Sequence, residues 1–369
     1  MFIKEIFKEV KDERKARGKS YNLDAILSLV SLGIICNHNS LAAIHRFGLR
    51  LSIEQRKALG FPENKMTCYS NLTIVLRKIC PNHLEQALNK IIKIVAGKEF
   101  SDEVLHVDGK ALRGSGKGED QVKLLNVFAK NINSNLHSQK ISQNSNEISA
   151  MIQMIKDYDI KGKVLTGDAI FTQKEICEDI VQAEGNFLFN VKDNQKTLRE
   201  EIVQAFQRAK ELKESIDFYE EEIDKNHGRI EKRSIEVIDM PWEYNNSWRH
   251  IKKLARVTRY RYDVKKKKES IEIAYLITNM NDITAKSILE LNRSHWSVEN
   301  NLHWIKDVVF EEDKSLIKRD NSPHIMAKLR DFALFFLRRI SDKITSTREM
   351  CNDIKNSVIR KFMSLKWDF

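Results

Sequence analysis

Paired cysteines are missing from this sequence of 369 residues. The five cysteines are odd in number, widely scattered and free of any C-x-x-C pair: Cys36, Cys68, Cys80, Cys177 and Cys351. A disulfide framework and a zinc module both need cysteines at close, paired spacings. The pattern therefore argues against both kinds of site and predicts reduced thiols in a cytoplasm.

Long apolar runs are missing as well. The most apolar stretch, from Ala25 to Cys36, is much shorter than the roughly 20 residues that cross a bilayer, and Asp24 directly precedes it. The N-terminus mixes acidic and basic residues, unlike the basic start of a signal peptide. We therefore expect no signal peptide and no membrane span.

Positive charge is in excess. The chain has 63 Lys and Arg against 52 Asp and Glu, which gives a formal net charge of +11. A basic protein attracts polyanions because its cations contact phosphates and release counterions. Nucleic acid is the first expected partner and an anionic membrane the second, while solubility alone is the competing explanation.

The hydrophobic periodicity changes along the chain. Residues 1–98 have apolar residues at helical spacing, which predicts a helical N-terminal domain. From Val104 short β-type runs follow, first with short connections and then alternating with helices, as is typical of a mixed sheet with packed helices. Residues 197–278 predict an antiparallel β insertion with polar faces, and helices return after it.

Two aspartates follow apolar strands. Asp108 ends the run VLHVD, where Gly109 predicts that the backbone turns, and Asp168 ends KVLTGD. Carboxylates at the carboxyl ends of neighbouring strands can share a hard divalent cation. A single aspartate in such a place more often caps the following turn or helix, so the interpretation depends on both acids together.

A third acid lies in the segment RSHWSVENNLHWIKDVVFEED. On one continuous helix, His295, Glu299 and His303 are spaced so that they share a face with Lys306. Such a face can present a carboxylate to a metal, with polar neighbours that orient the ligand or a phosphate. The two histidines with Glu299 also permit a transition-metal site of a metallohydrolase, although the H-E-x-x-H pattern is absent.

Two tryptophans, Trp296 and Trp304, lie one position round from this face. Burial against the core is the expected role of both indoles, because a large aromatic ring contributes most to stability when it is removed from water. Stacking on nucleic-acid bases is the alternative.

Five segments together resemble one family. They are VDGKALRGS, LTGDAIFTQKEI, NVKDNQKTLRE, HGRIEKR and HWSVENNLHWIKDVVFEED. They are similar, in the family's order and over roughly residues 20 to 340, to blocks of the ISAs family of insertion-sequence transposases, which includes the H-repeat-associated proteins. The resemblance implies an acidic triad of Asp108, Asp168 and Glu299 that holds catalytic Mg2+, for which Mn2+ can substitute.

The resemblance also implies a fold. It is an α/β fold with a ribonuclease H-like mixed sheet flanked by helices, a β-rich insertion and an α-helical N-terminal domain. The expected domains are a DNA-end-binding domain at residues 1–98, a catalytic domain at 99–196 and 279–345, the insertion at 197–278, and a C-terminal tail at 346–369.

The implied activity is that of a DDE transposase, which cuts element ends and joins the 3′-OH to target DNA by two-metal phosphoryl transfer. The implied partner is double-stranded DNA, at the terminal inverted repeats and at the target, bound by a homodimer in the nucleoid of the cytoplasm. A catalytically inactive DNA-binding relative, a decayed transposase, is the alternative.

Several cations are expected to contact DNA. Broader transposase relatives have Tyr and Arg where this sequence has Asn292 and His295, so the phosphate contact of that arginine is expected from His295 or Arg293. Lys306 matches the broader pattern. A surface or structural role is the alternative for each member of the full set: Lys110, Arg113, Lys192, Lys196, His227, Arg229, Arg293, His295 and Lys306.

Overall fold

The computed structural model describes residues 5, 7–63, 65–97, 104–226, 228–241 and 248–340. These residues form two compact units. The first contains the described residues of Met1–Ser101, Gly109–Asn144 and Val298–Phe369, and the second those of Asp102–Asp108 and Ser145–Ser297. The expected C-terminal tail, residues 346–369, lies outside the described residues, and the expected domain boundaries stay a prediction.

The helices in chain order are α1 (Leu23–Ile35), α2 (Leu41–Arg50), α3 (Ile53–Leu59), α4 (Tyr69–Lys78), α5 (Pro81–Ala96), α6 (Glu147–Asp157), α7 (Lys174–Gln182), α8 (Lys196–Glu211), α9 (Ala285–His295), α10 (Trp304–Val308) and α11 (Ser322–Ile340). A π-helix (Glu299–His303) precedes α10. The strands are β1 (Val104–Ala111), β2 (Lys123–Ala129), β3 (Ser134–Ile141), β4 (Val164–Gly167), β5 (Asn186–Val191), β6 (Asp217–Glu220), β7 (Asp224–Asn226), β8 (Arg229–Asp239), β9 (Lys253–Asp263) and β10 (Lys268–Thr278).

The first unit is mainly helical. All residues of α1 except Asp24 are buried, because a helix that is apolar on every side belongs inside a core. Helix α3 begins with a capping box of Ser52 and Gln55 and ends at Gly60, whose φ of 97° favours glycine. Helix α11 packs against α1, α5 and β3. Strand β3 in turn pairs antiparallel with β2.

The second unit is built on a mixed sheet. Its strand order is β1-β4-β5-β10-β9-β8-β6, and β7 pairs with β8. Strands β1, β4 and β5 are parallel, whereas β10 is antiparallel to β5 and to β9. Ile235 of β8, Val257 of β9 and Leu276 of β10 form one apolar cluster with Ile288 and Leu289 of α9.

The expected fold class is confirmed. The sheet combines parallel and antiparallel strands, helices flank it, the N-terminal stretch is helical, and the antiparallel insertion precedes Glu299. One strand end is wrong: β1 continues through Asp108 to Ala111, whereas the sequence predicted a turn at Gly109. In the part of the chain that the structure describes, no helix combines the length and the apolar character needed to cross a membrane.

Candidate active site

The two aspartates follow register partners on neighbouring parallel strands. Val107 of β1 is paired with Gly167 of β4, and it is the last pair between these strands. Asp108 and Asp168 are the next residues along the sequence, so both lie where the β1–β4 pairing ends. Asp168 leaves the sheet there, whereas Asp108 continues in β1, which extends beyond the end of β4.

The Asp168 carboxylate does not serve as a helix cap. A short 3-10 helix, Ala169–Phe171, follows it, but the Asp168 side chain accepts no capping hydrogen bond. The Phe171 N–H donates to the backbone carbonyl of Asp168 instead, at 3.0 Å. The side chain is 61% exposed, so its carboxylate oxygens are accessible and are the hard donors that a divalent cation prefers.

A buried chain of polar side chains lies beside Asp168. His106 Nδ1 is 2.6 Å from Thr166 Oγ1, and Thr166 Oγ1 is 3.0 Å from His295 Nδ1. His295 Nε2 faces Asp168 Oδ1 at 4.0 Å. Burial lowers the pKa of His295, although the Asp168 charge opposes the shift.

Glu299 lies on a π-helix, and the expected continuous α-helix is wrong. Helix α9 ends at His295, and the wider π turn of Glu299–His303 follows before α10. Glu299 Oε2 is 3.4 Å from His303 Nδ1, and its side chain is 60% exposed. Single π turns inside helices are frequent at functional sites.

The two histidines of the expected helical face are engaged by protein groups. His303 is buried and its Nε2 lies 3.4 Å from Asn126 Nδ2, while His295 Nδ1 contacts Thr166. These contacts use Nδ1 of His295 and Nε2 of His303, while His295 Nε2 and His303 Nδ1 face carboxylates. The metallohydrolase alternative stays a prediction.

Lys306 was expected to contact DNA, but the structure buries it completely. Its Nζ lies 2.8 Å from Asp331 Oδ1 and 3.5 Å from Glu312 Oε1. Burial lowers the pKa of Lys306, but the two carboxylates outweigh this effect and raise it. Its ammonium is therefore part of an internal ion-pair network and is not available to a phosphate.

Lys110 and His295 are also placed inside the protein. Lys110 is 7% exposed and pairs with Asp307 at 2.7 Å and with Glu312 at 3.6 Å. His295 is 15% exposed and its ring is oriented by Thr166. In this structure neither side chain presents its polar end freely to the surface, contrary to the expectation of a direct phosphate contact.

The remaining expected DNA contacts lie at the surface where they are described. The Arg113 side chain is 79% exposed, and its Nε lies 3.3 Å from Asp313 Oδ2. Arg293 pairs with Glu221 at 2.6 Å. Three further cations are exposed, namely Lys192, Lys196 and Arg229. His227 lies outside the described residues.

Both tryptophans are exposed, so the expectation that they bury against the core is wrong. Trp296 is 68% exposed and Trp304 is 55% exposed. Trp296 directly follows α9, and Trp304 is the first residue of α10, directly after the π-helix. Their indole rings therefore face solvent.

Sequence reasoning overlooked His106 and Thr166. Each lies two residues before an acid, in His106-Val107-Asp108 and Thr166-Gly167-Asp168. Side chains two residues apart on a strand share a face. This period of two was the signal that could have linked both residues to the acids.

Family models match most of the chain. The model described as "Transposase DDE domain" matches residues 99–336, and the model described as "DDE_Tnp_1-associated" matches residues 4–92. Among curated proteins, "H repeat-associated putative transposase YhhI" of Escherichia coli (strain K12) is 30% identical over 348 residues, which cover 91% of this chain and 89% of the relative.

Two other proteins show similarity. "Putative protein YbfL" of Escherichia coli (strain K12) is also 30% identical over 348 residues, covering 91% of this chain and 89% of the relative. Among solved structures, a piggyBac transposase synaptic complex with hairpin DNA aligns with a TM-score of 0.43 at 11% identity, covering 99% of this chain and 79% of that chain.

Proposed function

The chain belongs to the family of the transposase DDE domain, and from this premise we propose that it is the transposase of a bacterial insertion sequence. It cuts the ends of its own element and joins the freed 3′-OH to target DNA by two-metal phosphoryl transfer. The related chain YhhI is named an H repeat-associated putative transposase, which supports this proposal.

The proposed metal ligands are Asp108, Asp168 and Glu299. The main supporting observation is that the first two acids directly follow the register partners Val107 and Gly167. The donor set also fits a hard cation, because all three are carboxylates and the Asp168 carboxylate is neither buried nor used as a cap. Glu299 belongs to the other unit and is assigned from its place in the family motif.

When bound, Mg2+ or Mn2+ would activate the attacking hydroxyl and stabilise the leaving oxygen. The protein itself contributes fixed positions for the carboxylates. Asp108 lies within a strand and Asp168 directly after one, and backbone pairing holds both strands in register. Rigid elements place reacting groups more exactly than loops do.

The DNA is proposed to be held by surface cations and by stacking. Arg113, Lys192, Lys196 and Arg229 present charges to solvent, and contacts of this kind fix a protein on the phosphate backbone. Exposed indole rings of Trp296 and Trp304 provide surfaces on which bases can stack. Synapsis of two element ends calls for two copies of the chain, so we propose a homodimer on DNA.

Cleavage of labelled DNA that carries the element's own ends tests the proposal. Wild type is compared with Asp108→Ala, Asp168→Ala and Glu299→Ala, in Mg2+, in Mn2+ and in EDTA, and DNA binding is measured in parallel. We expect nicking at the element end that needs the metal and is lost in all three variants, while binding remains. End binding by wild type without cleavage in either metal would favour the decayed transposase instead.

A further inference from the structure

His106 and Thr166 form the pair directly beneath the two acids. They are register partners on β1 and β4, and both are buried. His106 is two residues before Asp108, and Thr166 is two residues before Asp168. Because strand side chains alternate between faces, His106 lies on the same face of β1 as Asp108. Thr166 is linked to Asp168 by His295, which contacts both.

Helix α9 brings a third group to this face. It packs against β4, and its last residue, His295, places Nδ1 3.0 Å from Thr166 Oγ1. The His295 and His106 rings meet edge to face, with centroids 5.6 Å apart. On its other side, the His295 ring directs Nε2 toward Asp168 Oδ1, 4.0 Å away.

The number of available hydrogens restricts the protonation of His106, Thr166 and His295. The Thr166 hydroxyl has one hydrogen and two lone pairs, so it can donate to no more than one of the two imidazole nitrogens that it contacts. If His106 Nδ1–H donates to it and His295 Nδ1 accepts from it, a neutral His295 carries a hydrogen on Nε2 that faces Asp168. If His295 Nδ1–H donates instead, a neutral His295 turns the Nε2 lone pair toward the carboxylate, which is repulsive, so the first arrangement is favoured.

We propose that His106, Thr166 and His295 are positioning residues that fix an N–H of His295 toward Asp168 and so hold its carboxylate ready to bind a divalent cation. This inference rests on the proposed function, because it takes Asp168 as a metal ligand. The distance of 4.0 Å exceeds a hydrogen bond, so the interaction is an attraction between the N–H dipole and the carboxylate charge. His295 thereby acts on a protein side chain, where the broader relatives have an arginine.

The removal of groups that orient a metal ligand typically costs about 10- to 100-fold in metal affinity. The Thr166 hydroxyl is the link that can be removed with least change in shape. Thr166→Val keeps the volume and removes the hydroxyl, whereas Thr166→Ser restores it. Thr278→Val is the matched control, because Thr278 is also a buried strand threonine of this unit, and its hydroxyl accepts only the Met280 N–H among the contacts described.

The first measurement is Mn2+ binding to the full chain without DNA, followed by electron paramagnetic resonance, with calorimetric unfolding for each variant. We expect Thr166→Val to weaken Mn2+ binding by about 10-fold or more, Thr166→Ser to stay within about 2-fold of wild type, and Thr278→Val to leave it unchanged. Equal Mn2+ affinity in wild type and Thr166→Val, with Asp168→Asn much weaker, would overturn the positioning role alone.

The Mn2+ titration of Asp168→Asn separates this inference from the proposed function. If Asp168→Asn binds Mn2+ as wild type does, the assignment of Asp168 as a ligand fails, and the positioning role fails with it. Nitrogen-15 NMR of the histidine side chains, with His295→Gln to identify the His295 signals, reports the proton positions directly. We expect a proton on His295 Nε2 and on His106 Nδ1, and a neutral His295 protonated at Nδ1 would overturn the inference.

Discussion

Lys306 Nζ lies 2.8 Å from Asp331 Oδ1, with the lysine fully buried and the aspartate 6% exposed. The pair shares its environment with Glu312 and Arg330, which are buried as well. Charges in such a place depend on each other, because any one of them alone would be an uncompensated charge away from water.

We expect Lys306→Met to lower the free energy of unfolding by roughly 3 to 5 kcal/mol, since it removes the cation that pairs with the buried Asp331 and one of the cations around Glu312. Urea unfolding followed by circular dichroism measures the change. Lys196→Met is the control: its side chain is 77% exposed and pairs with Glu200 only at 3.9 Å, so it should change stability by less than about 0.5 kcal/mol. A Lys306→Met protein as stable as wild type but weaker on DNA would restore the DNA-contact role.

The largely buried carboxylate of Glu85 makes the stability depend on pH. Burial raises the pKa of Glu85, but the neighbouring Lys328 ammonium and the His137 ring outweigh it and lower the pKa to about 2. Because the folded pKa lies below the unfolded value near 4.5, the stabilisation is complete above pH 4.5 and is lost as the pH falls toward 2.

The predicted contribution of Glu85 is roughly 3 kcal/mol at neutral pH. Urea unfolding at steps between pH 7 and pH 3 measures it in wild type and in Glu85→Gln. We expect the difference in stability between the two proteins to shrink as the pH falls below 4.5. A difference that is constant over this range would show that the Glu85 charge does not stabilise the fold.

Trp304 is expected to contribute more to DNA affinity than to the stability of the fold. Trp304→Ala is expected to change the melting temperature little, because 55% of the residue already contacts solvent. It should weaken binding of element-end DNA by about 1 to 3 kcal/mol, the usual contribution of one stacked base. Trp304→Phe keeps an aromatic surface and should recover most of the affinity. Equal binding by Trp304→Ala and wild type, in a fluorescence anisotropy titration, would exclude stacking at this ring.

Arg113 is the exposed cation best suited to a salt-dependence test, since its side chain is 79% exposed. Arg113→Ala should weaken binding to all DNA sequences alike and reduce the slope of log K against log salt by about 1. Lys161→Ala serves as the control, because this lysine is 67% exposed and, like Arg113, pairs with one carboxylate, that of Glu184. The same loss in both variants would point to overall charge, and no loss in Arg113→Ala would remove it from the interface.

Some features of this protein followed from local patterns. The apolar run of α1 and the strands of the insertion can each be recognised in short windows of sequence. The motif blocks also placed the chain among DDE transposases, since they keep their order along most of its length. Local patterns are reliable here because they are governed by hydrogen bonds and side-chain directions within one element.

Other features needed the fold. The strand end at Asp108 was wrong because it depends on how far β4 extends beside β1, and the partnership of His106 with Thr166 depends on their register. Sequence patterns within one strand contain no information about its neighbour.

The sequence by itself determined the fold class, the position of Asp168 directly after an apolar strand, and the family. Only the tertiary structure decided that Lys306 is an internal cation, that Trp296 and Trp304 face solvent, and that His295 is oriented by Thr166. The reason is physical: helical spacing fixes which side chains share a face, whereas burial and charge pairing are set by whatever that face packs against, which lies far away along the chain.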